Sequence, residues 1–420
     1  MRRFRLFAEG LVLLGVATLF VWKLTPQSED QPLLPAQARS TDQPMAHAML
    51  SLPSSTKSSS SDLLSVFDPQ RAFEGLTLYP ISGNARVDLL DFDGRRLHSW
   101  AVDADRALLL PNGNLLVLHG SKWGRARRPW RDKRDTVTEY SWDGKVVWSY
   151  KANGNLHHDL QRLPNGNTLL LKKTLVPTEF KDQIVDAQRR TIDIKGDSVI
   201  EIDPAGQIVW QWHSHEHLDL NYCGPKGCRY LAGSTRTLKE ASDWTHMNTL
   251  QLVPENRWFD GGDTRFRPGN LILLARNFST VYVVDRQRGE IVWQYRGDYR
   301  GGLGGGHDAQ MIPKGLPGAG NMLIFDNGAG THNKESVILE LTPPTKRIAW
   351  KYEDSTRFFS RSRSAVQRLP NGNTLISEDN SGRVFEVTPE MDTVWEYRGK
   401  LPCSRAKRYR RTDCVPCRVL

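Results

Sequence analysis

The chain has 420 residues, is 39% hydrophobic and carries a formal charge of +10. That length admits two or more average domains unless a repeat absorbs it. The charge is concentrated in SKWGRARRPWRDKRD (121–135) and KLPCSRAKRYRRTDCVPCRVL (400–420). Arg interleaved with Trp in the first stretch raises nucleic acid as a partner.

The N-terminus, MRRFRLFAEGLVLLGVATLFVWKL, sets basic residues before an apolar run from Leu6 to Trp22 broken only by Glu9. No clear small-x-small cleavage site follows the apolar run. Residues 1–23 are therefore expected to be a signal or a membrane anchor, a single N-terminal transmembrane segment with Glu9 near the interface. Residues 24–66, rich in Ser, Pro and Gln, have little to pack and read as a flexible linker. The working domain is then periplasmic or otherwise extracytoplasmic, and meets the membrane through that segment. Such a chain rarely meets nucleic acid, which removes that partner. Anionic substrate, lipid or polysaccharide suits the basic stretches better.

One unit recurs across residues 67–400. LPNGN stands at 110–114, 163–167 and 369–373, each copy followed by strand-like runs that close on an aromatic. Degenerate copies occupy 268–295 and 320–352, and a headless one 75–100. Within 158–212, DLQRL, TLLLKK, SVIEID and QIVWQW read as four antiparallel strands, with Asn165-Gly166 supplying the positive φ of a tight turn. Trp100, Trp148, Trp210, Trp293, Trp350 and Trp395 count six such units, so the expected fold is an all-β, six-bladed β-propeller. Frequent Gly and Pro and a period of two make helices a poor reading of the repeats. The leading strand missing from the first copy has two candidate sources, residues 63–67 or the basic, Cys-containing tail 401–420.

Five cysteines lie in two places. Cys223 and Cys228 are expected to close a small loop, and two of Cys403, Cys414 and Cys417 to tie down the tail, leaving one over. The CVPC sequence lacks the helix N-terminus that activates a redox CxxC.

The first strand of each blade lines the central channel, so residues just before it ring one mouth. Six positions before the repeat proline stand His158, Asn248, His307 and Ser364. His246 lies two residues before Asn248, and His157 beside His158. Three blades thus aim imidazoles at one axis in a chain with 11 histidines. One His-Asp pair before a strand reads as structural; three converging ones read as a site. Zinc held by such histidines, with Asp159 and Asp308 behind them, is the alternative to a metal-free site, and the metal-free site is the expectation. The His213, His215, His217 run is expected in a solvated loop. Arg276 is the candidate cation, while Arg162 and Arg368 are expected to decorate turns.

Taken together, HHD before LPNGNTLL, WTHMN, HDAQMIP leading to LIFDNG, and the ID-x-x-G-x-IVWQW rhythm resemble the bacterial arylsulfate sulfotransferase family over residues 70–400. The resemblance implies an exported six-bladed propeller. It implies transfer of a sulfuryl group from an aryl sulfate to a phenol by a ping-pong route, through a sulfated histidine, with no nucleotide donor and no cofactor. It assigns His307 as nucleophile, His246 and Asn248 to the sulfate, His158 or its neighbour His157 as the first histidine, and Arg276 as the active-site arginine. His332 competes for a minor substrate-binding role. The insertion ENRWFDGGDTRFR stretches the interval between His246 and Arg276. A homodimer stays open. The other readings are a non-catalytic, membrane-tethered scaffold or polysaccharide-binding propeller, and a quinone-cofactor propeller, which would lack the HD pairs.

Overall fold

The computed structural model describes residues 63–225, 227–228, 242–329 and 335–419. The expected N-terminal anchor and nearly all of the linker lie outside these. Among the described residues no helix is long and apolar enough to cross a membrane. The strands form six antiparallel sheets, five of four strands and one of five. This is the six-bladed propeller that the repeats predict.

Blades are numbered here by the order in which their second strands occur in the chain. Their inner strands are Lys407–Tyr409, Arg106–Leu109, Leu156–Arg162, Met247–Leu252, Asp308–Met311 and Ala365–Arg368 for blades 1 to 6. Both candidate sources of the missing strand are used. The tail supplies the inner strand of blade 1, pairing Lys407 with Leu78 and Tyr409 with Leu76. Leu64–Phe67 adds a fifth strand outside Thr393–Arg398 of blade 6. The chain after residue 400 is therefore part of the propeller rather than an appended tail, and Cys403, Arg405 and Arg408 are buried in it.

The repeated motifs are explained by closure of each blade and of the ring. In each PNGN turn the glycine holds positive φ, 87° at Gly113 and Gly166 and 95° at Gly372. The second Asn donates to a glutamate on the third strand of its own blade: Asn114 to Glu139 and Asn167 to Glu201 at 2.7 Å, Asn373 to Glu386 at 2.6 Å. An indole N–H on each outer strand donates to a turn carbonyl of the next blade. The pairs are Trp100 to Ser141, Trp148 to Pro204, Trp212 to Gly289, Trp293 to Pro343, Trp350 to Pro389 and Trp395 to Phe92, at 2.8 to 3.1 Å. The last returns from blade 6 to blade 1. In blade 3 the donor is Trp212 and not the expected Trp210, which instead lies 5.6 Å from the Arg286 guanidinium.

The six hydrophobic clusters each combine residues of two neighbouring blades, such as Leu171 with Leu273 and Ile324 with Leu274. A single blade has no core of its own, which is why the unit must repeat. Disulfides join Cys223 to Cys228 and Cys414 to Cys417, leaving Cys403 as a buried thiol. Two disulfides point to an oxidising, extracytoplasmic compartment.

Candidate active site

Antiparallel order puts the start of each inner strand on the same face as the end of the second strand. The histidines therefore meet residues that end second strands: Lys173 in blade 3, Arg276 in blade 4 and Asn327 in blade 5. Blades 3 and 4 carry register shifts at this point, between Leu170 and Lys172 and between Met247 and Thr249. His158 and His246 adopt left-handed φ of 61° and 50°. Irregularities of this kind re-aim a side chain out of the strand's alternation.

The result is a contact that a sequence separation of 88 hides: His158 Nε2 lies 3.3 Å from His246 Nε2. On its other side, His246 Nδ1 is hydrogen-bonded to Asp243, which also accepts from Lys173 Nζ at 2.6 Å. Lys173 reaches Asp197 at 3.0 Å, and Asp197 lies 2.9 Å from His157 Nε2. Asp197 also takes the Met247 amide at 2.8 Å and the Thr245 hydroxyl. Of the two adjacent histidines, His158 faces His246, while His157 turns to the buried Asp197.

His307 is 5% exposed. Its Nδ1 lies 2.7 Å from Asn327 Oδ1 and 3.1 Å from the Gly305 carbonyl. Both are acceptors, so Nδ1 carries the proton and the lone pair sits on Nε2. Asn248 is fully buried; its amide donates to the Gly306 carbonyl at 3.1 Å, and its Oδ1 has no partner among the described residues. The Arg276 amide donates to the His246 carbonyl at 3.0 Å, and its guanidinium reaches Asn277 Oδ1 at 3.2 Å.

The electrostatics follow from crowding. Burial, then the charges of Arg276 and Arg405, hold His307 well below the usual imidazole range, against the bond to Asn327. His158 is pushed well down by burial, then by His157, His246, Arg405 and His307. Burial lowers His246 too, opposed by Asp243. Burial works to raise the Asp243 carboxyl, but the bond from His246 and the charges of His246 and Lys173 together hold it well below its ordinary value. Fixed cations and neutral imidazoles thus share one mouth, an environment suited to a small anion.

His332 lies outside the described residues. The carboxylates that zinc would need behind its histidines are engaged elsewhere: Asp159 with Arg106, Arg405 and the Leu250 amide, Asp308 with the Val366 amide. The His213–His217 run is not a solvated loop. Ser214–His217 is one helical turn, with His215 packed against Phe180, His217 stacked on Trp212 and His213 bonded to Ser198. Arg162 holds its own turn carbonyl, Gly166 O, and Glu139 of blade 2, while Arg368 pairs with Glu340. Sequence reasoning missed Asp243, Lys173, Asn327 and Arg405. Asp243 was visible three residues before His246, and Asn327 in LIFDNG; nothing near Arg405 marks it.

The fold is a six-bladed propeller that gathers imidazole and guanidinium groups at one mouth of its channel. Residues 130–400, more than half of the chain, match the arylsulfotransferase (ASST) family. The chain belongs to that family, which supports a sulfotransferase activity in general. No curated protein matches it. Among solved structures, a protein of unknown function from Bacteroides caccae is similar at 12% identity and a TM-score of 0.50, covering 80% of this chain and 100% of that one. That likeness shows the fold alone. A streptogramin B lyase matches at 11% identity and a TM-score of 0.40, over 80% of this chain and 87% of that one.

Proposed function

We propose that the protein transfers a sulfuryl group from an aryl sulfate to a phenol by two in-line displacements, with His307 carrying the group between them. The observation that supports this most directly is the setting of His307: it is buried, and its Nδ1 is bonded to two acceptors, which leaves the lone pair on Nε2.

In the first step His307 Nε2 attacks sulfur, the S–N bond forms and the bond to the aryl oxygen breaks, its electron pair leaving with the phenolate. The bound sulfate anion and Asp243 offset the burial that lowers His246, so the His158–His246 pair takes up one proton with the substrate and supplies it to that oxygen. Sulfation makes the ring cationic, and the Asn327 and Gly305 oxygens accept from its Nδ1–H. In the second step the acceptor phenol gives its proton back to the histidine pair as its oxygen attacks sulfur. The S–N bond then breaks and Nε2 recovers its lone pair. Arg276 and the spare N–H of Asn248 face the charge spread over the sulfuryl oxygens, as donors do in the analogous phosphoryl transfer. Each step balances without a metal or nucleotide.

The N-terminal segment is proposed to tether this domain outside the cytoplasmic membrane, which the two disulfides support. The test is turnover of p-nitrophenyl sulfate with and without phenol. Phenol-dependent release with parallel double-reciprocal plots is expected. Intersecting plots, or full turnover in His307→Asn, contradict the proposal.

A further inference from the structure

We propose that Arg405 is a positioning residue for sulfuryl transfer, delivered to the site by the C-terminal strand that closes the ring. The proposal rests on the reading of His307 as nucleophile.

Arg405 lies two residues before the inner strand of blade 1, with its side chain 5% exposed. Its guanidinium crosses the channel. Nη2 donates to the Asn248 carbonyl at 2.5 Å and the His307 carbonyl at 2.9 Å, on blades 4 and 5. Nη1 lies 3.2 Å from Asp159 Oδ2 on blade 3. Blades 1 and 4 are opposite in a ring of six, so one side chain spans the axis and floors the site beneath the histidines.

The backbone that presents it is held from both sides. Arg405 has a φ of 52°. Its amide donates to Asp379 Oδ2 at 2.9 Å, and its carbonyl accepts from Arg106 Nη1 at 3.2 Å. Arg106 in turn bonds Asp159 Oδ1 at 3.0 Å, so the two arginines share one carboxylate. Asp379 also takes the Ser364 amide of blade 6 at 2.8 Å. Every blade thereby has a link to the residue that closes the ring.

Arginine is needed here because a planar fork reaches two carbonyls and a carboxylate on three different blades, whereas an ammonium is a single point. The two carbonyls belong to the residues that hold the sulfuryl group and attack it. A displacement of 1 Å in such groups costs roughly 100-fold in rate. The charge also matters. Arg276, His246, His158 and Arg405 surround His307, with Asp308 beside it in the chain and Asp159 across the channel. Removing one of the two arginine cations lets the imidazole protonate at higher pH.

The experiment uses the full chain with p-nitrophenyl sulfate and phenol, comparing Arg405→Lys and Arg405→Gln for kcat, KM, pH profile and thermal midpoint. Arg405→Lys is expected to lose roughly 10- to 100-fold in kcat at near-constant KM, with the acid limb in place. Arg405→Gln is expected to lose as much and to shift that limb to higher pH. Folded variants with wild-type kcat and acid limb overturn the proposal. So does loss of folding in both, which makes Arg405 structural only. His307→Asn run in parallel separates the two readings: if it stays active, the nucleophile assignment falls, and if it alone is inactive, only the role of Arg405 falls.

Discussion

Blades 3, 4 and 5 and blades 6, 1 and 2 are built alike and used differently. Around the whole ring the indole latches, and most of the Asn–Glu bonds beside the turns, repeat from blade to blade. At the channel mouth the two halves diverge. At or just before the start of the inner strands, the first half presents His158, Asn248 and His307, and the second presents Ser364, Arg405 and Asp105. Positions that every unit needs for closure are the ones that repeat, and chemistry sits where the repeats stop agreeing. The register shifts of the inner strands fall in the first half, whereas left-handed φ occurs in both, at His158 and His246 and at Ser364 (84°) and Arg405 (52°), so the halves differ in the side chain presented and not in backbone strain alone.

The largest effect that sharpens this contrast is at His307. His307→Asn is expected to keep the fold and lower kcat by roughly 1,000-fold or more, because no other group takes over the covalent step. Ser364→Ala, at the matching place in blade 6, should stay within a few-fold of wild type in the same assay. Next comes Asp243→Asn, which removes the charge that orients and supports His246. A loss of about 100-fold in kcat is expected, in the range of general acid–base catalysis, and steady-state kinetics with p-nitrophenyl sulfate checks it.

The pH profile divides the halves further. The His307 and His158 pKa values are depressed, so both imidazoles stay neutral as pH falls past 6.5, the ordinary value for histidine. The acid limb of kcat/KM for the donor is expected below that pH. A limb at or above it breaks the account of how crowding prepares the nucleophile.

Stability shows the other side. In blade 2, burial and then the Lys133 charge push His119 down to about 4. An unfolded chain binds that proton from about pH 6.5 downward while the folded one does not. This contribution is therefore complete above 6.5 and is lost as pH falls towards 4, on the order of 3 kcal/mol. His119→Gln should flatten urea midpoints across that window. Smallest, Trp395→Phe removes one indole N–H from the blade 6 to blade 1 latch, for about 1 kcal/mol of stability and no change in kcat.

The repeat was legible because turn chemistry and closing aromatics are local: Asn-Gly, Glu opposite Asn, Trp on the outer strand. Even there, Trp210 and Trp212 lie two residues apart on one strand and so share a face, and the bulge between Glu201 and Ile202 does not separate them because other blades carry the same one. Spacing before the repeat proline brought out His158, Asn248 and His307, since equivalent slots in successive blades share an axis. The support behind them was not legible. Lys173 is an ordinary strand lysine until Asp197 and Asp243 close around it. Arg405 lay in a segment whose basic composition read as surface, because its role exists only once the ends of the chain have met. The helical turn at 214–217 escaped notice because His-rich composition reads as solvated whenever its aromatic neighbours are distant in sequence.

The most direct test is the intact mass of the protein after exposure to p-nitrophenyl sulfate without acceptor, followed by peptide mapping. The account predicts a gain of about 80 Da, one sulfuryl group held covalently, on the peptide containing His307, discharged on adding phenol and missing from His307→Asn. An adduct on another residue, or turnover with no adduct on rapid quenching, would contradict it.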